Sequence, residues 1–205
     1  MDLKTTTSPR RRANIFNTLQ RFVEAPSSGR PLEVANVGPG LAVKYLGRLS
    51  AIDMPGWDFF RRIEAGVRRV PMPDAFYENY ETMELVAALR NIPFRLTLID
   101  INPRVVRVAA QGVRGHKVDT VVADLGEERS VRLAPYRGKF DLVVAFAVVG
   151  RVRDRLRENA RDNVGRLVRP GGLLLGTDTG GSEFTLVAPD SAFYRKAGVA
   201  AQERA

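Results

Sequence analysis

Four apolar runs in this chain stop abruptly at a glycine or an aspartate, and that pattern leaves few architectures open. Leu32–Val37 ends at Gly38, Phe94–Ile99 at Asp100, Thr120–Ala123 at Asp124, and Phe140–Val149 at Gly150. The last run carries one charge, Asp141, and is otherwise apolar throughout. Strands apolar on both faces belong inside a sheet that is covered by helices on both sides, as parallel sheets are. Helical signals lie between the runs. Asn102 is placed to cap a helix with Pro103 at its first position, where a missing N–H does no harm. In Arg151–Arg169, residues Val152, Leu156, Ala160, Val164, Leu167 and Val168 recur at helical spacing. Arg169-Pro170-Gly171-Gly172 then breaks the chain before a strand at Leu173–Gly176. Glu183–Val187 and Ala192–Arg195 flank a turn and predict a hairpin. The expected fold is α/β: a doubly wound, mainly parallel Rossmann-like sheet, helices on both faces, and a C-terminal antiparallel hairpin.

The 205 residues suit one such domain. Residues 1–30 read as a basic N-terminal arm with a short helix at Ala13–Val23, and 31–205 as the α/β domain. Leu41–Leu49 is expected to be the first crossover helix. Residues 50–93 exceed a simple crossover and read as a helical insertion bearing Trp57, Phe59, Phe60, Phe76, Tyr77 and Tyr80, bent at Pro71 and Pro73. No apolar run approaches the ~20 residues of a membrane span, and the N-terminus lacks a secretory pattern. Without cysteine there is no disulfide, thiolate metal site or Cys nucleophile. A cytoplasmic protein away from membranes is the default expectation.

A net charge of +9 raises the question of nucleic acid. The densest basic stretch, Arg151–Arg169, is interleaved with Asp154, Glu158 and Asp162 and has no aromatic residue for base stacking. It reads better as a core-packed helix with a solvated face.

The chemistry-bearing candidates sit at strand ends. Asn36-Val37-Gly38-Pro39-Gly40 follows the first strand, and its glycines allow a sharp turn and close approach of a ligand to the backbone. Asp100 ends the second strand, where a carboxylate accepts the two hydroxyls of a ribose. A G-x-G turn alone is common, and aspartate often ends strands, so each signal is weak by itself.

Taken in order, these segments resemble the class I S-adenosylmethionine-dependent methyltransferases. Leu32–Gly40 looks like that family's first motif, Leu96–Pro103 like the second, Val121–Leu125 like the third and Lys139–Phe146 like the fourth, followed by Asn163–Leu175. The resemblance implies S-adenosylmethionine as cofactor. It places the Asn36, Gly38 and Gly40 loop at the methionine moiety and Asp100 with Ile101 at the ribose. It puts Asp124 and Leu125 at the adenine, and Phe146 beside the reacting methyl. The sequence also departs from the family. Asn36 stands in place of an acidic residue, Ala42 in place of a third glycine, and Gly40 and Asp100 are 60 positions apart against a usual ~20.

Other enzyme classes fit less well. The sequence has Val43 where a dinucleotide fingerprint needs its last glycine, and no Tyr-x-x-x-Lys or P-loop. The single histidine, His116, lies in a polar turn and reads as a solvated residue. Ala145-Phe-Ala-Val148 replaces the Asn/Asp-Pro-Pro-Tyr of enzymes that methylate exocyclic amines, and the absence of cysteine closes covalent cytosine-C5 chemistry. A small-molecule acceptor is expected, with Trp57, Tyr77 and Tyr80 as acceptor-binding candidates. Tyr77 and Tyr80 are expected on one helix face. The tail after Gly176 is similar to that of the chemotaxis-receptor glutamate methyltransferases, although their Arg-Asn-Val-x-Ile-Tyr-Phe is missing. A protein carboxyl methyltransferase, and a silent binding module that kept the fold, remain alternatives.

Overall fold

The computed structural model describes residues 19, 22–23, 29–43, 73–146, 148–176, 182–187 and 193–198. Strands β1 (Leu32–Val37), β4 (Phe94–Asp100), β5 (Val118–Val122), β6 (Phe140–Ala145) and β7 (Val168–Gly176) run parallel. β8 (Phe184–Leu186) and β9 (Phe193–Lys196) form the C-terminal hairpin, with β9 inserted antiparallel beside β7. The order across the sheet is β5-β4-β1-β6-β7-β9-β8. The chain therefore winds one way from β1 through β4 to β5, then returns to place β6 on the other side of β1. That reversal opens a crevice at the carboxyl ends of β1 and its neighbours.

Side-chain alternation sorts the core into two layers. On one face Leu32, Val34, Leu96, Leu98, Leu142 and Val144 pack with Leu85, Leu89, Val106, Ala109 and Val113. These come from α1 (Tyr80–Ala88), the residue that ends it, and α2 (Pro103–Gly112) with its C-cap. Leu19 and Val23 of the N-terminal segment join the same layer. On the other face Ala35, Val37, Ile99, Val143, Ala145 and Leu174 meet Ala160, Val164 and Leu167 of α3 (Arg157–Leu167). Burial of both sheet faces accounts for the uninterrupted apolar strands, and the expected architecture is the one found.

Several boundaries differ from the expectation, each for a physical reason. Leu41–Leu49 does not start as a helix: Ala42–Val43 is a short strand, β2, paired antiparallel with β3 (Tyr77–Glu78), while 44–49 lie outside the described residues. The helix that carries the chain from β1 to β4 is α1. Asn79 caps it by accepting the N–H of Thr82, and Thr82, Leu85 and Leu89 bury one stripe of it. The stretch intervening between the first turn and its helix is thus 41–79, and 80–93 belong to the sheet domain rather than to an insertion. The apolar run from Phe140 leaves the sheet after Ala145, and a one-turn 3-10 helix at Val149–Arg151 follows. The charged segment likewise begins with 3-10 turns, and its α-helix starts only at Arg157. The Arg-Pro-Gly-Gly break sits inside β7. Phe140 pairs with Val168 and Leu142 with Leu173, so two steps on β6 face five on β7, and Arg169–Gly172 bulge out.

At the amino ends of the strands, Asp141 is 5% exposed and fully engaged. It accepts two bonds from Arg30 at 2.8 and 2.6 Å and the Glu33 N–H at 2.8 Å, and it pairs with Arg169. Removing it would strand two guanidinium groups and an amide at the centre of the sheet. Both arginines keep some solvent, so Asp141→Ala should cost about 2–3 kcal/mol, below the 3–5 of a fully buried pair. Chemical denaturation measures it, and a loss under about 1 kcal/mol would contradict this account.

Candidate functional site

At the crevice the ends of four strands enclose a cleft of about 460 Å³. Gly38, Gly40 and Leu41 enter it after β1, Asp100 with Ile101 and Asn102 after β4, Ala123–Leu125 after β5, and Val148, Arg151 and Val152 after β6. Arg104 and Val105 of α2 close one side. The volume lies in the range of small-molecule sites, and the lining mixes apolar walls with a few polar groups.

The first wall is a tight turn. Gly38 has φ +60° and Gly40 φ +66°, the left-handed region. The Gly38 N–H is donated to Ile99 O at 2.7 Å, which fastens the turn to β4. A Cβ on Gly38 would lie 2.6 Å from Val148 Cγ2, so the turn and the segment after β6 touch where any side chain would part them. Gly40 has more room: its Cβ would stand 3.8 Å from an Arg151 guanidinium nitrogen.

The carboxylates are held by backbone. Asp100 Oδ1 accepts the Asn102 N–H at 2.8 Å while Asn102 in turn caps α2 through the Arg104 N–H at 2.9 Å. Burial pushes the Asp100 carboxyl above its ordinary range, opposed by the Asn102 N–H, the Arg151 charge and the Ile101 N–H. Asp124 Oδ1 accepts the Gly126 N–H at 2.8 Å. The turn bearing Asp124 and Leu125 is fixed from α3, a contribution the sequence reading missed. Asn163 donates to Leu125 O and Glu127 O at 2.8 and 2.7 Å, and Asn159 to Gly126 O at 3.1 Å. Ile101 is 62% exposed, an apolar side chain left at the cleft.

Of the residues expected at the cofactor, Gly38, Gly40, Asp100, Ile101, Asp124 and Leu125 come together in this cleft. Asn36 and Phe146 do not. Asn36 lies on the α1 side of the sheet, is 0% exposed and donates to Thr82 Oγ1 at 3.0 Å. Phe146 is buried in the core layer with Val34, Val144 and Leu175. Trp57 lies outside the described residues. Tyr77 is in β3 and Tyr80 is the first residue of α1, so the two do not share a helix face as expected. Tyr80 is half-buried and follows Asn79, which bonds the glycine turn. His116 is exposed and stacks on Phe94, 5.2 Å between centroids, in the turn leading into β5. Arg151 is a cleft residue that the sequence reading assigned only to a solvated helix.

Residues 81–172 match the methyltransferase domain family. No curated protein matches the chain. Among solved structures, the N-methyltransferase NodS from Bradyrhizobium japonicum WM9, in complex with S-adenosyl-l-homocysteine, aligns with a TM-score of 0.53 and 18% identity, over 95% of this chain and 90% of that one. The citrinin polyketide synthase CMeT domain aligns at 0.45 and 17% identity over 74% of this chain and 30% of that one. An O-methyltransferase family protein from Burkholderia thailandensis aligns at 0.46 and 14% over 88% and 39%. This chain therefore spans well under half of the latter two, and the likeness to NodS is one of fold. Among the described residues no helix is long and apolar enough to cross a membrane, and no three His, Cys, Asp or Glu side chains group as metal ligands.

The contact between Gly38 and Val148 is directly testable. Gly38→Ala forces a left-handed conformation on a side chain, about 1–2 kcal/mol, before any clash. Val148→Ala in the same chain deletes the two methyls it meets and should recover part of the loss. A double-mutant cycle on thermal stability with no coupling would show that the turn does not rest on Val148.

Proposed function

We propose how the cleft works from one premise: this chain carries a methyltransferase domain of the class I S-adenosylmethionine-dependent superfamily. On that premise the cleft between Gly38, Asp100, Asp124 and Arg151 is the S-adenosylmethionine site, and the chain transfers a methyl group to a small-molecule acceptor. The observation that carries this reading is the meeting of the glycine turn and two backbone-held carboxylates at the strand-order reversal.

The residues suit each part of the cofactor. The ribose has two hydroxyl donors, and Asp100 offers carboxylate oxygens at the mouth of the cleft. Ile101, Leu125 and Val152 are apolar walls for a flat heterocycle, with Asp124 able to accept from an exocyclic amine. Arg151 is the cation for a methionine carboxylate. The Gly38 N–H is already committed to Ile99, so what the turn supplies there is close approach.

When bound, S-adenosylmethionine supplies an electrophilic methyl on a sulfonium. The chain's part is to orient the two reactants and keep water out, which can account for much of the acceleration without a strong base. The acceptor side falls to the segment between Val43 and Asn79. Its two stems, β2 and β3, pair directly beyond the glycine turn, and Tyr80 follows the second stem. Tyr77, Tyr80 and Trp57 are the aromatic candidates there, each joining an apolar ring to a polar tip.

Titration calorimetry with S-adenosylmethionine and S-adenosylhomocysteine tests the reading. Asp100→Ala should weaken binding by roughly 1.5–3 kcal/mol, ten- to a hundredfold. No binding to the native protein at millimolar ligand would end the reading.

The pH dependence has a defined sign. Ribose hydroxyls donate to the ionised carboxylate, so a proton on Asp100 competes with the ligand. Because burial raises this carboxyl, affinity should begin to fall on acidification at a higher pH than an exposed aspartate would give, and Asp100→Asn should flatten that limb. In the empty protein the linkage is opposite. Stability tied to Asp100 is full below its unfolded pKa and is lost as pH rises through the folded one.

A further inference from the structure

We propose that Asn79 is a positioning residue for the cofactor: its side-chain amide holds the glycine turn against the helix from which the chain has separated it. The proposal rests on the cleft being the S-adenosylmethionine site.

The turn and α1 are neighbours in space but 40 residues apart in sequence, from Pro39 to Asn79. Where the chain leaves, Ala42 pairs with Glu78 and Val43 with Tyr77, so the stems return to one point. Asn79 stands there, 2% exposed. Its Nδ2 donates to Pro39 O at 2.9 Å and to Gly40 O, and its Oδ1 accepts the Thr82 N–H at 2.6 Å. Only one orientation of the amide serves, because rotation by half a turn would set its oxygen against two carbonyls and its nitrogen against an N–H. Thr82, also fully buried, accepts from Asn36 of β1 at 3.0 Å, so the clamp continues down to the strand before the turn.

The consequence for binding is electrostatic. Two carbonyls of the turn are committed to Asn79 and cannot rotate into the cleft, where they would oppose the methionine carboxylate. Gly38 and Gly40 are thereby left as a surface for the ligand. Two functions are joined in one side chain, the helix cap and the loop clamp, and they separate by substitution.

Asn79→Ser keeps a strong cap but is too short to reach the turn. It should lower thermal stability by only a few degrees, as the loss of one to two net hydrogen bonds implies, speed amide exchange at Gly38 and 40–43, and weaken S-adenosylhomocysteine about tenfold, because the ligand must then order the turn itself. Asn79→Asp keeps the cap oxygen but, when ionised, sets negative charge against both carbonyls. Protonated, it can donate to one of them. Its affinity, taken as a ratio to the native protein at each pH, should therefore rise on acidification, a signature that a purely structural role does not produce. Native binding unchanged in a folded Asn79→Ser protein, with unchanged exchange of the turn, overturns the proposal. So does an Asn79→Asp ratio that is flat with pH. Failure of the native protein to bind S-adenosylhomocysteine would instead overturn the cofactor site, while amide exchange still reports on the clamp.

Discussion

A single buried carboxamide joins the two halves of the site. Asn79 gives its nitrogen to the carbonyls of Pro39 and Gly40 and its oxygen to the first turn of α1. Buried polar groups are costly unless satisfied, so a fully bonded amide fixes its surroundings in one arrangement. β1, the glycine turn and α1 would ordinarily follow one another along the chain. Here the two-rung β2–β3 ladder, this amide, the Asn36–Thr82 bond and the packing of Leu85 and Leu89 on β1 bring them together across the intervening residues. The other walls of the cleft depend on that geometry. Gly38 meets Val148 from beyond β6, and its N–H ties β1 to β4.

Charge is distributed with similar economy. The two cleft carboxylates are each held by a backbone N–H. They stay available as acceptors for hydroxyl and amine donors. Arg104, at the side of the cleft, is occupied by Asp74 at 2.7 Å, and Arg107 by the same carboxylate at 2.8 Å. Those two arginines hold the Asp74 carboxyl below its usual range. Arg151 lines the same cleft, with a guanidinium nitrogen 3.8 Å from where a Cβ on Gly40 would stand, and its charge also acts on Asp100.

The sheet was legible because apolar strands leave an unambiguous signal, and their ends marked Gly38, Asp100 and Asp124 at the correct edge. The crossover helix was not. Leu41–Leu49 carries helical spacing, and nothing local says that Ala42–Val43 pairs with residues 77–78; a ladder between distant segments is invisible to periodicity. The long gap from Gly40 to Asp100 had the answer in it. Asn79 to Asp100 is 21 positions, close to the usual ~20, once the cap rather than the glycine is counted. Asn36 and Phe146 lie outside the cleft lining because their partners are distant in sequence: Asn36 bonds Thr82 of α1, and Phe146 packs with Val34, Val144 and Leu175. Asn163 was unreadable because a long-range side-chain bond to a turn leaves no pattern in sequence.

The same joint connects the proposed acceptor side to the cleft. Whatever the chain between Val43 and Pro73 carries, its exit is anchored three ways: by the β2–β3 ladder, by Asn79 on the glycine turn, and by Asp74 on α2. Two of the anchors end on cleft residues, Asn79 on Gly40 and Asp74 on Arg104. A displacement of this stem therefore reaches the cleft through those two hydrogen-bonded contacts. Coupling between two ligands requires a shared element whose position both of them bias. The stem from Asp74 to Thr82 is bonded on one side to the turn, through the buried Asn79, and on the other to α2. An acceptor bound against it would be held relative to the cofactor by the protein's own hydrogen bonds, which is the condition that in-line transfer requires.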